Sequence, residues 1–116
     1  MENNKDLQKQ RASEAFVNSF REEYPDFAEH FKKFWSRKRD ERVFSYKYME
    51  FIRIAMGLLQ DCDSCVKTHL ISALENGATK QEIFEVISIT VSMSGKSINK
   101  NIKFLLKTLE EYEKNQ

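Results

Sequence analysis

The sequence predicts an all-α protein of about six helices, and three observations carry that expectation. Only three glycines and one proline occur in 116 residues, too few for the turns of a many-stranded protein. Charged residues make up 32% of the chain, and they sit among frequent Leu, Ile and Phe, a mixture that suits amphipathic helices. Apolar residues also recur at three- and four-residue spacing along most of the chain. The length is that of one ordinary domain, taken as 1–116, able to bury a single modest core.

The first helix is expected over about residues 6–22, where Ala12, Phe16 and Phe20 fall four apart on one face. Tyr24-Pro25 interrupts it, and Pro25 suits the first turn of a second helix at about 26–38. That helix carries Phe27, Ala28, Phe31, Phe34 and Trp35 on one side. The run from Arg37 to Arg42 reads as a solvated helix end and turn rather than a binding patch.

Ser45 can cap a third helix reaching about Gln60. From Phe51 to Leu59 it is apolar nearly all round, interrupted by Arg53 and Gly57, which predicts a central, buried helix. The fourth begins at Cys62 or Asp63 and stops at Asn76-Gly77, a left-handed ending. Thr79 and Glu82 form a capping box that opens the fifth, which runs to about Ser94. Its Ile83, Phe84, Val86, Ile87, Ile89 and Val91 leave little polar face. One small domain cannot readily cover two such apolar helices, so a subunit interface is expected. Met49, Met56 and Met93 read as core filling. After Gly95, the last helix repeats Ile98, Ile102, Leu105, Leu109 and Tyr112 as an a/d-like seam.

Charge and hydropathy exclude some function classes. Nineteen basic against eighteen acidic residues give a net charge of +1, with no basic excess to attract nucleic acid or an anionic membrane. No apolar run reaches the length of a membrane span. The polar start Met-Glu-Asn-Asn-Lys-Asp lacks a signal-peptide core, so a cytoplasmic location is expected. Two nearby cysteines in such a chain suggest redox work or metal binding more than a structural staple.

Cys62-Asp63-Ser64-Cys65 is a C-x-x-C at a predicted helix start. Unpaired N–H groups and the helix dipole there favour a thiolate over a thiol that would otherwise titrate near ~8.5. Side chains three apart on a helix come close enough to form a disulfide after a small adjustment. His69 follows Cys65 by one helical turn, and all three lie within about 60° of one another around the axis. An imidazole so placed can take a thiol's proton or hold its thiolate. Val66, Leu70 and Ala73 border this face, so the group is expected to be largely buried. Taken alone, the motif leaves redox, metal and incidental readings open. A zinc site would use both thiolates, His69 and the Glu50 carboxylate, although one helix face supplies three tetrahedral ligands awkwardly. By composition Glu50 is only a helix-surface acid, paired with Lys47 or Arg53.

Glu50, Cys62, Cys65 and His69 together resemble the E-x11-C-x-x-C-x3-H signature of the alkylhydroperoxidase-like (AhpD-like) branch of the carboxymuconolactone decarboxylase family. Lys47-Tyr48-Met49-Glu50 is similar to its K-x-x-E, Asn76-Gly77-Ala78-Thr79 to its turn, and Met93-Ser94-Gly95 to its glycine-containing break. The likeness covers about 43–112. It implies an antiparallel all-helical subunit assembled as a homo-oligomer, a trimer or hexamer, with no cofactor beyond a redox-active Cys62–Cys65 disulfide. It implies catalytic roles as well. Cys65 is the peroxidatic thiol, deprotonated by His69, with Glu50 drawing the proton onward through a water. Cys62 resolves the sulfenic acid, and a dithiol donor protein reduces the disulfide. The substrate is a hydroperoxide or, in the alternative, a protein or small-molecule disulfide. The best-known peroxidases of the branch carry a second histidine where this chain has Ser64, which bears on rate and substrate choice. The decarboxylase branch typically lacks the cysteine pair, so lactone decarboxylation is not expected.

Overall fold

The protein is seen in a computed structural model that describes residues 4–36 and 42–116, with the side chains of Asp6 and Ser36 also left aside. Among the described residues every regular element is a helix: α1 (Asn4–Phe20), α2 (Pro25–Ser36), α3 (Tyr46–Leu59), α4 (Asp63–Glu75), α5 (Lys80–Met93) and α6 (Asn99–Lys114). The expected basic turn falls mostly on residues 37–41, outside those described. None of the described helices is long and apolar enough to cross a membrane.

The chain divides into two compact units, Met1–Val43 and Phe44–Gln116. In the first, α1 and α2 pack through aromatic rings. Phe16 meets Phe31 with ring centroids 4.3 Å apart, and Phe20 meets Phe27 edge-on at 5.3 Å. Tilted and edge-on contacts of this kind suit the ring quadrupole.

The second unit is built by signals that local sequence supplies. Ser45 Oγ accepts the Tyr48 N–H and opens α3. At α5 the Thr79 and Glu82 side chains and backbones bond reciprocally, as a capping box requires. Gly77 ends α4 at φ +91°, where a Cβ would be strained. Ile54, Leu58, Val66, Leu70, Ile83 and Leu105 are fully buried between these helices. Each contributes about 1.5–3 kcal/mol of burial against the entropy of ordering the chain. The α6 seam points inward as expected, with Leu105 and Leu109 in the core.

Two expectations are corrected here. Of the three core methionines only Met49 is buried; Met56 is 54% and Met93 78% exposed. Nor is α3 enclosed, because it packs mainly against α4 and α5 and leaves Ile52 and Met56 on an open flank. Apolar composition all round the helix exceeds what these two neighbouring helices can cover.

Candidate functional site

The site forms where α3 lies against the start of α4. Gly57 permits that approach. A Cβ built there would lie 3.1 Å from Val66 Cγ2, 3.2 Å from the Val66 nitrogen and 3.3 Å from Cys65 Cβ. These distances are tight enough that any side chain would push α4, and Cys65 with it, away.

The helix start is held from the other side by α6. Asp61 takes a left-handed conformation, φ 56°, which Asp tolerates better than most residues. Buried Asn101 donates through Nδ2 to Asp61 Oδ1 at 2.6 Å and to Asp63 Oδ1 at 3.1 Å. One amide from α6 thus grips both neighbours of Cys62. Its hydrogen bond, aided by Lys100 and Lys96, outweighs a partial loss of hydration and holds the carboxyl of exposed Asp61 below the usual range. Sequence reasoning missed Asn101. The signal was available, since it lies three residues after Ile98 and four before Leu105, a polar residue inside an apolar stripe.

Cys62 is the N-cap of α4, and Cys65 is the third residue of the helix. Their Cα atoms are 5.3 Å apart, and the two are joined as a disulfide. Cys62 Sγ accepts the Cys65 N–H at 3.3 Å and lies 3.5 Å from Ser64 Oγ. His69 sits one turn further along α4. Its Nδ1 lies 2.7 Å from Glu50 Oε2, and Arg53 Nη1 donates to Glu50 Oε1 at 2.5 Å. Of the two bases that local spacing offered to Glu50, Arg53 is the one used; Lys47 instead reaches Glu82 on α5 at 3.1 Å.

Three of the four predicted residues are less buried than expected. Val66, Leu70 and Ala73 fill the core, while Cys62, Cys65 and His69 ride the half-exposed margin of the same helix. They are turned away from the core stripe. Glu50 is the reverse: expected as a surface acid, it is 2% exposed. The expected water between it and His69 has no room at 2.7 Å, and the two bond directly.

The electrostatics follow from this arrangement. Burial pushes the Glu50 carboxyl upward, but the hydrogen bonds and charges of His69 and Arg53 outweigh it and hold the group below its ordinary value. An ionised carboxylate on Nδ1 fixes the imidazole tautomer, leaving the Nε2 lone pair free to accept a proton. Chemically, the site combines a reversible dithiol, a base and an orienting carboxylate. Among the described residues, no three His, Cys, Asp or Glu side chains are grouped so as to hold a metal ion.

Comparison with known proteins places the fold. Residues 25–101 match the model of the carboxymuconolactone decarboxylase family. The chain belongs to that family. A crystal structure of an apo carboxymuconolactone decarboxylase family protein from Legionella pneumophila has the same fold. It aligns with a TM-score of 0.59 over 93% of this chain and 91% of that one, at 24% identity. An uncharacterized protein of Cupriavidus necator is 37% identical over 46 residues. That match spans 40% of this family member and 41% of the Cupriavidus protein, under half of either.

Proposed function

We propose that this family member is an alkylhydroperoxidase-like enzyme that reduces hydroperoxides through Cys65 and Cys62. The observation that carries the reading is the cysteine pair one helical turn before an imidazole whose Nδ1 is bonded to a buried carboxylate. In the reduced protein His69 Nε2 takes the Cys65 proton. The thiolate attacks the terminal peroxide oxygen, the O–O bond breaks, and the alkoxide leaves as alcohol with the proton returned by His69. Cys65 is then a sulfenic acid. Cys62 displaces its oxygen as water and closes the disulfide. A dithiol donor restores both thiols and is itself oxidised to a disulfide. A reducing cytoplasm supplies such donors, and the working unit is a homo-oligomer.

A second reading, reduction of protein or small disulfides by the same pair, is favoured by one feature: Ser64 stands where the peroxidases of the branch carry a second histidine. Stopped-flow mixing of the reduced protein with hydrogen peroxide and an organic hydroperoxide separates the two. Rapid loss of both thiols is expected, abolished in Cys65→Ser and slowed about a hundredfold in His69→Ala. Thiols that survive many equivalents of peroxide eliminate the peroxidase reading and leave disulfide exchange.

A further inference from the structure

The contacts around the C-x-x-C are unequal, and the inequality assigns a role to Ser64. Among the described residues, two polar donors meet the sulfur of Cys62, the Cys65 N–H at 3.3 Å and the Ser64 hydroxyl at 3.5 Å, and none meets that of Cys65. A sulfur in a disulfide carries no hydrogen, so Ser64 must be the donor in this contact. As N-cap, Cys62 also faces the unpaired N–H groups of the first turn of α4. Cys65, inside the helix, has His69 one turn away as its base rather than as a standing donor.

Resting on the redox reading above, we infer that Cys62 is the sulfur that holds negative charge in the reduced protein, with Ser64 as the positioning residue that keeps it charged. The resolving step then needs no base of its own. The Cys62 thiolate attacks the sulfur of Cys65 sulfenic acid, the S–S bond forms as the S–O bond breaks, and hydroxide leaves as water after taking one proton from solvent. Reduction by a donor dithiol ends at Cys62 thiolate and Cys65 thiol, with the donor oxidised to its disulfide and one proton released. The histidine of the related peroxidases brings a titratable cation to this position; a serine donates at every pH.

Two kinds of charge act on a Cys62 thiolate: flanking carboxylates that oppose it and lysines that offset them in part. Asp61 and Asp63 flank it in the chain, and Asn101 binds both, with Lys96 and Lys100 near Asp61. On α3, the Glu50 carboxylate is held by His69 and Arg53.

The test is an ultraviolet thiolate titration of Cys62 in a Cys65→Ala background, which keeps the backbone N–H of residue 65. Cys62 is expected to titrate below the free-thiol value of about 8.5. Adding Ser64→Ala should raise that value by about half to one unit, a three- to tenfold loss of thiolate at neutral pH. Ser64→Thr should restore it. Ser64 is exposed, so the thermal midpoint should not move, and a purely structural effect is told apart. A Cys62 that titrates at or above the free value, or one indifferent to Ser64→Ala, overturns the assignment. The peroxidase reading stands or falls separately. A Ser64-dependent titration in a protein that ignores peroxide retains this inference and removes the peroxidase. Peroxide turnover with no Ser64 dependence does the opposite.

Discussion

At the scale of single residues the site is a contest between burial and hydrogen bonding, and Glu50 is where it is decided. The carboxylate is 2% exposed, which disfavours its charge, yet its two oxygens are met by His69 and Arg53. Because its pKa is lowered in the folded state, the stabilisation is fully present above the unfolded value of about 4.3 and is lost as pH falls through the folded value. Glu50→Gln should therefore be less stable than the natural protein by about 1–3 kcal/mol at pH 7. The gap should narrow below about pH 4. Urea unfolding midpoints at pH 7, 5 and 3.5 measure it, and a gap that stays constant would show that the carboxylate is not held low. This residue also marks the limit of sequence reading. Cys62, Cys65 and His69 share one helix, so spacing alone brought them together. Glu50 lies nineteen residues from its partner on another helix, where no local pattern reaches, and only the family signature pointed to it. Asn101 belongs to no such signature; its meaning comes from a contact with the Asp61 turn forty residues away.

Helix starts and stops were legible because they are local chemistry. Ser45, Thr79 with Glu82, and Gly77 each satisfy or release backbone groups within four residues of themselves. How closely two helices approach is not local, and Gly57 is the example. In the sequence it was an interruption of an apolar run; in the fold it is the space that Val66 and Cys65 occupy. Gly57→Ala sets two effects against each other. Alanine gains about 0.8–1 kcal/mol of helix propensity, while a Cβ 3.2 Å from a backbone nitrogen forces a shift of α4 that costs about 1–3 kcal/mol. The backbone cannot turn aside as a side-chain tip can, so the steric effect should win. A net destabilisation of about 1–2 kcal/mol is expected, with slower closure of the Cys62–Cys65 disulfide because Cys65 moves with the helix. Thermal melting and the rate of disulfide formation after oxidation check both. A variant as stable and as fast as the natural protein would mean that α3 and α4 are not held at this distance by the glycine.

On the scale of the whole molecule, the open question is what covers the apolar residues that α3 and α5 turn outward. Ile52 and Met56 are 45% and 54% exposed on α3, and Ile89, Val91 and Met93 are 60%, 50% and 78% exposed on α5. Isolated apolar residues on a surface are ordinary, but two helices that each expose several in the same four-helix unit are what subunit contact surfaces look like. The near-neutral net charge of +1 offers no general repulsion between copies. The over-apolar character of these two helices was visible in the sequence; which of their residues remain outside was not, because that depends on where the neighbouring helices stop covering them. Self-association is the expected outcome. Light scattering behind size exclusion should give a mass that is a multiple of the 13.8 kDa chain, with a trimer or hexamer favoured by the family likeness. Ile89→Asp places a charge on the most exposed isoleucine of α5 without touching the core, where Ile83 is buried. It should lower the mass towards the monomer while helicity is retained, since leaving that carboxylate solvated is easier than burying it between subunits. If the natural protein elutes as a monomer, or if the aspartate leaves the mass unchanged, α5 is not the contact surface and its exposed residues must be accounted for in another way.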